Sequence, residues 1–139
     1  MTDEQLEALG QRWIAAGGDV RPGMMICDFE GALRVIATAA PGRLYVAGRM
    51  ALDTWTVEET DWIDLSDGAT KGAALEVVRE RWGIRRLWVE FQVDNAMWSV
   101  GDWVLGWACL DGEKPPPDIM GDSEEEVLVL ALESAPPPP

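Results

Sequence analysis

Turn-forming dipeptides cut the first half of this chain into short apolar runs, and those runs suit strands better than helices. Pro22-Gly23, Glu30-Gly31 and Pro41-Gly42 bound the stretches Met24 to Phe29, Leu33 to Thr38 and Leu44 to Met50. Glycine and proline supply the backbone angles a tight reversal needs, and apolar runs of this length between such signals read as hairpin-linked strands. The spacing predicts a three-stranded antiparallel meander.

Helical signals flank it. Thr2-Asp3-Glu4-Gln5 has the spacing of a capping box, after which Leu6, Leu9, Trp13 and Ile14 share one helical face until Gly17-Gly18. A second helix is expected from Ser66 or Asp67, with Ala74, Leu75, Val78 and Trp82 inward, Lys71, Glu76, Arg79 and Glu80 outward, and Gly83 as its stop. Beyond it Leu87, Val89, Phe91 and Val93 alternate with Trp88, Glu90 and Gln92, the pattern of a half-buried strand. Turns at Asp94-Asn95 and Gly101-Asp102 are expected to separate it from strands Met97 to Val100 and Trp103 to Leu110, the last apolar on both faces and therefore central or covered. A proline-rich loop from Lys114 to Asp118 follows. Ser123-Glu124-Glu125-Glu126 then opens a third helix with Val127, Leu128, Ala131 and Leu132 inward. The expected class is α+β: antiparallel sheets of about six strands with three helices, in the order α-β-β-β-α-β-β-β-α.

At 139 residues the chain fits one domain, which is expected to span residues 1–135 with a flexible proline tail at 136–139. A hydrophobic fraction of 47% with eight tryptophans argues against disorder. Cys27 and Cys109 lie within apolar stretches and read as two buried thiols, the alternative being a disulfide if their strands are neighbours. The acidic N-terminus has no apolar signal core, and no apolar run is long enough to cross a bilayer, so a cytoplasmic location is expected.

The chain has 25 acids, 11 bases and no histidine. Without histidine the commonest general base, the usual triads and the commonest zinc ligand are gone. Gly17-Gly18 follows a helix rather than opening one, the wrong context for a phosphate-binding loop. No cofactor and no metal are expected: Asp61-Trp62-Ile63-Asp64 lacks the ligand density and turn glycine of a calcium loop. Asp28 and Glu90, on strands near apolar residues, are the best carboxylates for acid–base chemistry. The net charge of −14 repels nucleic acid and anionic membrane and favours a basic protein partner, while also serving solubility. Arg79, Arg81, Arg85 and Arg86 cluster at the end of the middle helix, in part complementing its C-terminus.

Between Asp53 and Asp67 the chain carries six acids (Asp53, Glu58, Glu59, Asp61, Asp64, Asp67), no base, and the tryptophans Trp55 and Trp62. Part of it, Trp62 to Leu65, reads as an edge strand. Aromatics ringed by charge are the composition of a protein-binding hot spot. Trp55, Glu58, Glu59, Asp61, Trp62 and Asp64 are therefore candidate partner-binding residues, with Trp88 added from the polar face of its strand. The alternative for the two indoles of the segment is that they fold back to cap the sheet.

From Asp64 onward the sequence resembles small phage and prophage proteins. The resemblance rests on Asp64-Leu65-Ser66-Asp67-Gly68-Ala69-Thr70-Lys71-Gly72, Val78-Arg79-Glu80-Arg81-Trp82-Gly83, Trp98-Ser99-Val100 and the stretch Glu124 to Pro136, with Ala8-Leu9-Gly10 and Arg21-Pro22-Gly23-Met24 of similar character. Where that group is expected to have proline at the helix start, this chain has Gly68, which alters helix onset and no chemistry. The resemblance implies a viral or mobile-element setting and no activity. The expected function is a phage accessory protein that binds a host or phage protein, with inhibition of a nucleic-acid-binding or defence protein as one form of it. The alternatives are a small carboxylate enzyme or ligand-binding domain, and a virion or assembly component; a homo-oligomer is left open.

Overall fold

The computed structural model describes residues 1–27, 33–40, 43–47, 52–55, 57–58, 60–94 and 97–137. Asp28, Glu59 and the expected turns at Glu30-Gly31 and Pro41-Gly42 lie outside them, as does Asn95. Helices α1 (Asp3–Ala15), α2 (Gly68–Trp82) and α3 (Glu124–Glu133) separate two sets of antiparallel strands. The first set is β1 (Met25–Cys27), β2 (Leu33–Ala40), β3 (Arg43–Ala47), β4 (Leu52–Trp55) and β5 (Trp62–Ile63); the second is β6 (Arg86–Asp94), β7 (Met97–Ala108) and β8 (Met120–Gly121). The class is α+β, with helices and strands alternating in the expected order. The chain divides into two compact units, Met1–Ala74 and Leu75–Pro139, with the division inside α2.

In the first unit the strand order is β4-β3-β2-β1-β5. Met25, Ile26 and Cys27 pair with Val35, Arg34 and Leu33, and on the other side Ile26 and Cys27 pair with Ile63 and Trp62. The acidic segment thus supplies an edge strand at each end of the sheet, β4 as well as the expected β5. Thr2 caps α1 with both bonds of the capping box in place. The helix ends where Gly18 N–H donates to the Trp13 carbonyl and Gly17 N–H to that of Ile14, with Gly17 at φ 77°. That pairing satisfies two carbonyls the helix would otherwise leave bare. Leu9, Gly10 and Trp13 are buried, and α1 packs on β5 through Gly10. A Cβ at Gly10 would lie 2.3 Å from the Ile63 carbonyl oxygen, so only glycine allows this approach.

Asp67 immediately precedes α2, and its Oδ2 accepts from both the N–H and the hydroxyl of Thr70. It ends at Gly83 (φ 67°), where Ile84 N–H donates to the Arg79 carbonyl and Gly83 N–H to that of Glu80. Its buried positions are Thr70, Ala74, Val77 and Val78, whereas the expected inward residues Leu75 and Trp82 are half-buried.

In the second unit the order is β6-β7-β8. The turn expected at Gly101-Asp102 is absent, and β7 runs unbroken from Met97 to Ala108 with Gly101 paired to Val93 and Asp102 to Gln92. A Cβ at Gly101 would stand 2.1 Å from the Gln92 carbonyl oxygen. The glycine therefore serves a close cross-strand approach rather than a reversal. α3 packs on all three strands, is capped by the Ser123 hydroxyl accepting from Glu126 N–H, and buries Val129 besides the expected Val127, Leu128, Ala131 and Leu132. Trp82 Nε1 donates to the Ala131 carbonyl at 2.9 Å.

Candidate functional site

Among the described residues, the acids of the segment do not share one exposed face. Asp61 is only 2% exposed, and its Oδ2 accepts from Glu58 N–H at 2.8 Å while its own N–H donates to the Glu58 carbonyl. It closes a turn, with its side chain turned away from solvent. Asp64 is half-buried, and its Oδ1 accepts from the backbone and hydroxyl of Ser66. Asp67 caps α2. Three of the segment's acids thus perform the local side-chain-to-backbone bonding that aspartate favours at turns and caps. Glu58 is exposed, Trp62 is half-buried on β5 opposite Cys27, and Trp55 lies on β4 opposite Leu44.

Trp88 is placed differently. On β6, Trp88, Glu90 and Gln92 share one face by strand alternation, and their partners across the ladder are Gly106, Val104 and Asp102. β8 extends the same face, because Val104 pairs with Met120. All of these residues except Asp102 line a groove of about 530 Å³, which Asp118 and Ile119 help to close. That volume lies in the range of sites for small ligands and side chains.

Inside the groove Trp88 Nε1 donates to Glu90 Oε2 at 3.1 Å and Gln92 Nε2 donates to Glu90 Oε1 at 3.2 Å. Each carboxylate oxygen has one donor and retains a further lone pair for a ligand. The indole lies against Gly106, where a Cβ would fall 2.4 Å from Nε1 and 2.5 Å from Cε2. Trp88 is thereby fixed by a missing side chain on one side and a hydrogen bond on the other, yet stays 37% exposed. Met120, 60% exposed, adds a flexible apolar group.

The opposite face of the sheet also departs from expectation. Leu87 is fully buried and Val89 half-buried, but Phe91 and Val93 are exposed. Phe91 instead meets Trp103 at 5.5 Å between ring centroids, a tilted aromatic pair. β7 is the central strand of its sheet, one of the two expected alternatives, while Trp103 and Trp107 are half-buried and the stretch from Ala108 to Leu110 is exposed.

The basic cluster is spent on structure in part. Arg79 pairs with Glu76, and its Nε donates to the Leu87 carbonyl at 2.8 Å. Glu113 accepts from the backbone N–H groups of Leu110 and Arg85. Cys27 is buried, but Cys109 is exposed, just past the end of β7, contrary to the expectation of two buried thiols; neither is in a disulfide. Among the described residues no group of three or more Cys, Asp or Glu side chains is placed to hold a metal, and no helix is long and apolar enough to cross a membrane.

Trp88 and Glu90 are each visible in the sequence, but as separate candidates. Gly106, Val104 and Met120 are not visible there as site residues, since only the β6–β7–β8 register brings them to that face. Comparison with protein-family models, curated protein sequences and solved structures gave no match.

Proposed function

We propose that this chain is a non-catalytic binding protein that engages a protein partner through the sheet face carrying Trp88. The observation that carries the reading is the fixed, partly exposed Trp88 indole in a groove with Glu90 and Met120. Tryptophan held rigid in a pocket loses little entropy on binding and is enriched at interface hot spots. A net charge of −14 favours a basic partner surface and speeds its encounter. With the resemblance to phage and prophage proteins, the setting we propose is an accessory role in which the partner is a host nucleic-acid-binding or defence protein. The test is partner capture from host lysate with the native chain and with Trp88→Ala. Loss of the captured protein in the variant, together with weaker capture at higher salt, is the expected result. Capture indifferent to Trp88 would refute the role of this face.

The same groove supports a second reading, a site for a small ligand, because Glu90 and Asp118 both line it. A thermal-shift panel of small cationic and polar compounds separates the two: stabilisation that Glu90→Gln abolishes favours the small ligand.

A further inference from the structure

We infer, building on the binding role proposed above, that the Trp88 groove receives an arginine side chain from a basic partner segment. Three features converge on that chemistry. The Trp88 indole is held at a fixed position by Gly106 and by its bond to Glu90, and it presents a partly exposed π-surface at which a cation is attracted to the ring. The Glu90 carboxylate is oriented by two donors, Trp88 Nε1 and Gln92 Nε2, and retains acceptor capacity on both oxygens. Asp118 adds a second carboxylate to the lining, which disfavours any anionic occupant.

Guanidinium fits this arrangement better than ammonium. Its planar fork donates two parallel hydrogen bonds to a carboxylate, and the same plane stacks on an aromatic face. An ammonium is a compact, strongly hydrated charge and gains less from either contact. The apolar part of the lining, Val104 and Met120, suits the methylene stem of a long cationic side chain.

The test uses the full chain and a short blocked glycine peptide carrying one arginine, titrated by calorimetry. Matched peptides carry citrulline, which keeps the shape without the charge, or lysine. The arginine peptide should bind, and citrulline should weaken binding about tenfold, the scale of one charge-assisted hydrogen bond or a desolvated cation–π contact. Lysine should fall between them. Glu90→Gln should weaken the arginine peptide to a similar degree, and Trp88→Leu should also weaken it, each variant first checked for a native circular dichroism spectrum. No binding at millimolar peptide, equal binding of arginine and citrulline, or tighter binding of lysine would overturn the inference. The peptide series on the unaltered protein decides the matter even if Glu90→Gln misfolds. If partner capture depends on Trp88 while the arginine peptide shows no preference, the inference fails and the proposed function stands. Arginine selectivity with Trp88-independent capture would sustain the inference and sink the proposed function.

Discussion

The Trp88 indole occupies the space where a side chain on Gly106 would stand: a Cβ there would lie 2.4 Å from Nε1. The two residues are direct partners across the β6–β7 ladder, so the glycine acts as a seat for the ring. Gly106→Ala should push the indole off that seat and break its bond to Glu90. The expected result is a shifted Trp88 indole N–H resonance, because the ring must move to make room. An unmoved resonance would contradict the seating.

Gly10 poses a contest between local and tertiary effects. Alanine in place of a mid-helix glycine ordinarily gains about 1 kcal/mol from helix propensity. Here the new Cβ would meet the Ile63 carbonyl oxygen at 2.3 Å, and backbone cannot yield as the end of a flexible side chain would. The clash should win, so Gly10→Ala is expected to lower the urea midpoint.

Thr70 links two elements of the first unit. Its Oγ1 accepts from Met25 N–H at 2.8 Å and donates to Asp67 Oδ2 at 2.9 Å, and the residue is fully buried. Thr70→Val keeps the shape but strands the Met25 N–H, which should cost about 1–3 kcal/mol by denaturant titration. Thr70→Ser should retain most of the stability.

The acids of the 53–67 stretch should separate by role. Asp61→Ala removes the acceptor of the Glu58 N–H in a buried turn and is expected to cost about 1–3 kcal/mol. Glu58→Ala, at an exposed position, should stay within about 0.5 kcal/mol of the native chain. Equal effects on the melting temperature would argue against this division.

The two cysteines should differ in reactivity. A thiol reagent added to the native protein should modify Cys109 quickly and Cys27 only after denaturant, because one is exposed and the other buried. Rapid modification of both in the native state would contradict the burial of β1.

Helix ends are legible in the sequence because caps are local. Thr2, Ser123 and Gly83 each act within a few residues of themselves, and each does in the structure what its type suggests. Asp61, Asp64 and Asp67 look alike in the sequence because charge density is visible in a string of letters, whereas burial and turn bonding are not. Gly101-Asp102 misleads for a related reason: glycine permits a turn and a close cross-strand approach equally, and only the pairing with Gln92 and Val93 selects between them.

Periodicity, capping and composition are enough to set the α+β class, the helix boundaries and the acidity, all of which can be read along the chain. Alternation along a strand likewise puts Trp88, Glu90 and Gln92 on one face of β6. That this face is a groove follows only from the folded arrangement. Register sets Gly106 beneath the indole and Met120 beside Val104, and register is a relation between segments distant in the chain. The feature that composition makes most prominent, the acidic tryptophan-bearing segment, becomes turns, a helix cap and sheet edges, because aspartate satisfies nearby backbone N–H groups before it can serve a distant partner.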